Sequence, residues 1–150
     1  MSADELRVLL QAFIRRFGLL SPDRTPCGKD LPTSDAHALM LLRIAGDDGL
    51  PQAALAARLG FDKSTASRVV GRLIDAERAE RGGMTDDGRE RPVRLTARGA
   101  KLARELDDAS GRRFATLFEH IPRRRRAEVI EALRDLVGAL EHLDDEEKAR

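Results

Sequence analysis

A mainly α-helical chain with one small β-hairpin is the fold class this sequence predicts, and three observations predict it. Apolar residues recur at offsets of three, four and seven along most of the 150 residues. Aromatic content is 3% with no Trp or Tyr, so a core must be built from Leu, Val, Ile, Ala and the few Phe, a composition that favours helices. Only residues 78–96 read as two short strands about a charged tip. The length suits one compact domain, 1–150, and leaves little chain for a second core.

Leu6, Leu9, Leu10, Phe13 and Phe17 form one stripe of an amphipathic first helix over residues 4–17, which ends near Gly18. The stretch LSPDRTPCGKDLP carries three prolines and a glycine and reads as a long loop that a partner surface covers or orders. Thr33 or Ser34 is the expected N-cap of a second helix, whose buried face is Ala36, Leu39, Met40, Leu42 and Ile44 and whose stop is Gly46 or Gly49. Pro51 opens a short third helix that Gly60 closes, and Asp62 caps a fourth running to about Ala76. Thr96 caps a long fifth helix containing Leu102, Leu106, Leu117 and Phe118, which Pro122 breaks. A last helix from about Arg123 aligns Val129, Ile130, Leu133, Leu136, Val137, Leu140 and Leu143. That stripe fits pairing between two chains or packing on the first helix of its own chain.

Residues 50–77, LPQAALAARLGFDKSTASRVVGRLIDAE, carry the most information. Two helices that cross closely need a small residue at the crossing, a residue tolerant of positive φ at the turn, and apolar contacts around both. Leu55, Ala56, Leu59, Gly60, Phe61, Ala66 and Val69 meet these needs in order, and together they predict a helix-turn-helix. In the second of these helices Ala66, Val69, Val70, Leu73 and Ile74 face inward, leaving Lys63, Ser64, Ser67, Arg68 and Arg72 toward solvent. Such a face suits duplex DNA. An α-helix fits the major groove, Arg forks onto guanine, Ser and Thr bind base edges or phosphates, and a helix N-terminus favours a phosphate. The alternative is a solvated amphipathic helix with incidental Arg.

After that helix, the hairpin tip DDGRER projects Arg89 and Arg91 from strands anchored by Val93 and Leu95. An arginine on a thin hairpin can enter the minor groove, about 6 Å wide, where a helix cannot. Asp87 is placed to orient the Arg89 guanidinium by a paired hydrogen bond. The alternative for the pair is a solubilised tip. Charge fits a phosphate-binding middle and a solvated mixed-charge surface equally: residues 58–104 carry twelve basic and seven acidic side chains, and residues 135–150 two and six, within a net charge of +1.

The runs FDKSTASRVVGRLIDAERAER and DGRERPVRLTARG resemble the MarR family of multiple-antibiotic-resistance regulators over residues 50–99. The resemblance implies a winged helix-turn-helix over residues 34–96, flanked by N- and C-terminal dimerisation helices at 1–20 and 97–146. It also implies a homodimer that binds pseudo-palindromic double-stranded DNA as a transcriptional regulator, more often a repressor, and many such proteins are released by a small-molecule effector or an oxidant. By the same matching Ser64, Thr65, Ser67, Arg68 and Arg72 are groove-helix contacts, and Arg89 is the wing contact paired with Asp87. Pro92 departs from the pattern by removing a strand hydrogen-bond donor, which places it best on an edge. Gly82, Gly83 and Met84 leave the wing's length and stiffness open.

Other classes are set aside. A winged-helix adaptor that contacts protein, with Arg68 and Arg72 neutralised by partner carboxylates, is the alternative reading. No nucleophile with base and orienter, no phosphate-binding glycine loop and no HExxH argues for an enzyme, and no cofactor is expected. In the redox-responsive branch of the family this chain resembles, the sensor cysteine stands in the first helix beside tyrosines, whereas Cys27 lies in the loop and the chain has no Tyr, so Cys27 reads as a passive thiol. His37, His120 and His142 do not pair at ligand spacing, so no metal is expected. Arg123 to Arg126 read as a solvated turn. Without an apolar span of about 20 residues or a signal peptide, the expected location is the cytoplasm.

Overall fold

The computed structural model describes residues 2–83 and 91–149, the side chain of Lys148 excepted. In chain order the elements are α1 (Ala3–Phe17), α2 (Thr33–Ala45), α3 (Gln52–Leu59), α4 (Lys63–Asp75), β1 (Ala79–Arg81), β2 (Val93–Leu95), α5 (Ala97–His120) and α6 (Arg126–Lys148). Short 3-10 turns occupy Gly46–Asp48 and Arg123–Arg125. The chain divides into two compact units, Met1–Ser110 and Gly111–Arg150. No helix among the described residues is long and apolar enough to cross a membrane.

In the first unit, the core is aliphatic. Leu39 and Leu42 of α2, Leu55 of α3, Val69, Val70 and Leu73 of α4, Val93 of β2 and Leu106 of α5 are all fully buried. Burying each such side chain contributes about 1.5–3 kcal/mol, and together they seat α4 by one face. Along α2 the buried residues are Asp35, Ala36, Ala38, Leu39 and Leu42. Ile44, expected on that face, is instead 74% exposed. Two residues past Leu42 is about 200° around the helix, which turns Ile44 away from the stripe that Asp35, Leu39 and Leu42 define. Neither Thr33 nor Ser34 caps α2: Pro32 takes that place, its carbonyl accepting the N–H groups of Asp35 and Ala36, each at 3.1 Å.

The turns follow local rules closely. Gly18 and Gly60 end α1 and α3 in the left-handed conformation, with φ of 91° and 67°. The Asp62 carboxylate caps α4 by accepting the N–H of Thr65 at 2.6 Å. Thr96 caps α5, its hydroxyl accepting the N–H of Gly99 at 3.1 Å while donating to the Glu77 carbonyl at 2.6 Å. One hydroxyl thereby ties the end of α4, the return of the hairpin and the start of α5.

β1 and β2 are antiparallel, with Ala79 opposite Leu95 and Arg81 opposite Val93. Leu50 lies on the other side of β2 and exchanges two backbone hydrogen bonds with Val93, both 2.8 Å. Gly49 makes that approach possible, because a Cβ there would stand 2.3 Å from the Val93 carbonyl oxygen. Pro92, expected on an edge, falls just before β2, where its carbonyl accepts the Gly82 N–H at 2.7 Å.

The long loop before α2 is held largely by its own chain. Thr25 and Leu31 are buried, the Thr25 hydroxyl accepts the Lys29 N–H at 2.9 Å, and the Lys29 ammonium reaches Glu105 of α5 at 3.2 Å. By contrast, α1 buries none of its residues, leaving Leu9 61% exposed and Phe13 stacked on Phe17 with ring centroids 5.1 Å apart. In the second unit the Arg126 guanidinium lies 4.6 Å over the Phe118 ring and donates to the Ile121 carbonyl, closing the turn between α5 and α6. In the apolar stripe of α6, Leu133, Val137, Leu140 and Leu143 are half or more exposed.

Candidate nucleic-acid interface

The amphipathic pattern of α4 resolves into two faces. Ala66, Val69, Val70 and Leu73 are buried, while Lys63, Ser64, Ser67, Arg68 and Arg72 are exposed and Thr65 is half-buried. The offset between Ser64, Ser67 and Arg68 is three and four residues, so they share the outward side of the first two turns. Arg68 donates to the Thr65 hydroxyl at 3.2 Å, which steadies the guanidinium without covering it.

At the start of α4, Asp62 takes the position that a bound phosphate would otherwise favour. The Thr65 N–H donates to its carboxylate, and that bond holds the Asp62 carboxyl below the ordinary carboxylate range, with the nearby Arg68 charge adding to the effect. Cationic chemistry on this helix therefore falls to Lys63 and the arginines.

Arg72 is differently placed from Arg68. Its Nε donates to Asp35 Oδ2 at 3.1 Å, and its Nη2 donates to Asp35 Oδ1 and, at 3.3 Å, to the Ser34 hydroxyl. Ser34 in turn donates to Asp35 Oδ1 at 3.1 Å. The Asp35 hydrogen bonds hold the Arg72 guanidinium above its ordinary value, so it stays a cation. Asp35 and Ser34 did not enter the sequence-based site. The available signal was a carboxylate heading the apolar stripe of α2, where a charge needs a partner.

At the hairpin, Arg91 is exposed two residues before β2. Asp87 and Arg89, the expected wing-tip pair, lie outside the described residues. What positions the hairpin is described: Arg81 donates to the buried Gln52 of α3 at 2.8 Å, and Arg94 to Glu80 across the strands at 2.8 Å. The base of the hairpin is thus tied to the helix that precedes α4. Beside Ser34 a groove of about 330 Å³ opens between α2 and the end of α3, lined by His37, Leu41, Arg58 and Phe61 among others.

Two helices crossing at Gly60, with a hairpin directly after the second, define a winged helix-turn-helix protein. Within that class, the family model that matches the sequence is that of the MarR family, over residues 29–90. Solved structures of such regulators share the fold over nearly the whole chain. A MarR/EmrR family transcriptional regulator from Acinetobacter sp. ADP1 is 17% identical with a TM-score of 0.71, covering 95% of this chain and 99% of its own. The PcaV transcriptional regulator from Streptomyces coelicolor is 25% identical with a TM-score of 0.67, covering 95% and 99%. MepR, a transcription regulator of the Staphylococcus aureus multidrug efflux pump MepA, is 20% identical with a TM-score of 0.62, covering 93% and 99%. No curated protein matches the sequence significantly.

Proposed function

We propose that the chain is a sequence-specific double-stranded-DNA-binding transcriptional repressor that acts as a homodimer on pseudo-palindromic operators. One observation carries this reading: Ser64, Ser67 and Arg68 stand exposed on the outward side of a helix whose opposite side is sealed by Val69, Val70 and Leu73. Arg68 supplies the guanine-reading fork and Ser64 and Ser67 supply groove hydrogen bonds, with Lys63 and Thr65 at the helix start. Arg91 supplies the wing contact, together with Asp87 and Arg89, the contacts expected from the sequence. The apolar surface left open on α1 and, separately, on α6 is more than scattered exposure explains, and a second copy of the chain is the occupant we assign to it. Two copies are also what the DNA demands, since a palindrome is read by recognition helices about 34 Å apart.

Release by a small organic effector belongs to the same reading. A further structure of the Streptomyces coelicolor regulator is a complex with its natural ligand. Here the groove that Arg58 and His37 share with Leu41 and Phe61 offers a seat for such a molecule.

The test is binding of a pseudo-palindromic duplex, selected by the protein from a randomised pool, against a scrambled duplex across a salt series. Two protomers per duplex, preference for the selected sequence and a steep loss of affinity with salt are expected. Equal affinity for both duplexes, or a flat salt dependence, refutes specific regulation and favours a protein-contacting adaptor.

A further inference from the structure

We propose that Asp35 and Arg72 form a clamp that sets the rotation of the recognition helix, so that Arg72 acts as a positioning residue and not as a DNA contact. The inference rests on the DNA-binding reading of α4 given above, but its structural half stands without it. The Asp35 side chain is 4% exposed. A carboxylate so buried is costly unless paired and hydrogen-bonded, and the partners that satisfy it are Arg72, through both carboxylate oxygens, and Ser34.

The geometry of this pairing matters more than its charge. Leucine and valine contacts hold α4 on the core by burial, which is non-directional. A planar guanidinium engaging both oxygens of one carboxylate fixes distance and orientation together. Arg72 lies one helical turn beyond Arg68, so the clamp grips the same side of α4 that presents the reading residues. Its other jaw is the first turn of α2, which Ala38, Leu39 and Leu42 root in the core. Any slip there is transmitted to Arg68 and Ser67, whose contacts with base edges tolerate little displacement.

Arg72→Ala, Arg72→Lys, Asp35→Ala and the double variant Asp35→Ala/Arg72→Ala would be compared with wild type by thermal unfolding, and by binding to the selected and scrambled duplexes from 50 to 200 mM salt, concentrations over which phosphate contacts register clearly. The clamp predicts that either single Ala variant melts several degrees lower and that the double variant is no worse than the poorer single. It predicts loss of the preference for the selected duplex by about tenfold in both, the scale of one base contact, with an unchanged salt slope. Arg72→Lys, which keeps the cation without the fork and is expected to fold, loses that preference too.

A phosphate contact predicts otherwise. Arg72→Ala would then weaken both duplexes alike and lower the salt slope by about one, Arg72→Lys would behave as wild type, and Asp35→Ala would leave preference intact; that set of results overturns the clamp. Additive melting losses in the double variant overturn it as well. Should wild type itself show no duplex preference, the regulator reading falls, and the melting cycle alone decides for or against the clamp.

Discussion

Placing the same substitution at two helical glycines should have opposite effects on this fold. Gly71 lies in α4 with nothing within 4 Å of where a Cβ would be, whereas a Cβ at Gly99, in the first turn of α5, would stand 1.8 Å from the Arg78 carbonyl oxygen. Alanine in a helix interior is favoured over glycine by about 1 kcal/mol, so Gly71→Ala should stabilise by up to about that amount. Gly99→Ala gains the same helix term but must push the Arg78 carbonyl from 1.8 to at least 3.0 Å away. That carbonyl accepts the Thr96 N–H at 3.2 Å, so the shift strains a bond at the base of the hairpin.

Overpacking costs about 1–3 kcal/mol and the weakened hydrogen bond about 0.5–1.5 kcal/mol, which together exceed the helix gain. For a chain of this size each kcal/mol moves the melting temperature by about 2–4 °C. Thermal unfolding at one fixed protein concentration, required because association shifts the transition, should show Gly71→Ala above wild type and Gly99→Ala several degrees below it. Gly99→Ala melting at or above wild type would refute the close approach of α5 to the Arg78 carbonyl, and Gly71→Ala melting below it would refute the open surface over α4.

Other expectations are briefer. Because the Asp62 carboxyl is held below its ordinary 3.8 by the Thr65 N–H, its contribution to stability is present in full above pH 3.8 and is lost as the pH falls through the lowered value. Asp62→Asn keeps a capping oxygen but removes the titration, so its urea midpoint should decline less steeply than wild type below pH 3.8, while Asp62→Ala should be less stable at neutral pH. Leu39, fully buried at the centre of α2, should cost about 2–5 kcal/mol when replaced by Ala, read as a lower urea midpoint with an unchanged slope.

Much of the fold was legible locally. The Gly60 turn, the Asp62 cap and the Thr96 cap each depend on a few consecutive residues, and each stands where the side-chain chemistry placed it. The two faces of α4 were legible for a related reason, since a helix with Val69, Val70 and Leu73 on one side has only one side left for Ser64, Ser67 and Arg68. Ile44 was misplaced because hydrophobicity says that a residue prefers burial, and not whether the helix turns it toward a neighbour. The α2 cap differs from the expectation because the helix starts at Thr33 itself, which leaves Pro32 in the cap position with its carbonyl accepting the Asp35 and Ala36 N–H groups.

Sequence alone determined the winged helix-turn-helix class and the outward face of its second helix, because periodicity and turn chemistry are properties of neighbouring residues. Tertiary structure decided what those residues do with their charges. Arg68 and Arg72 are alike in sequence and exposed in one stripe, but only Arg72 meets a buried carboxylate 37 residues earlier in the chain. Solvation cost makes that difference: a carboxylate withdrawn from water must be matched, and which cation matches it depends on how α2 and α4 cross.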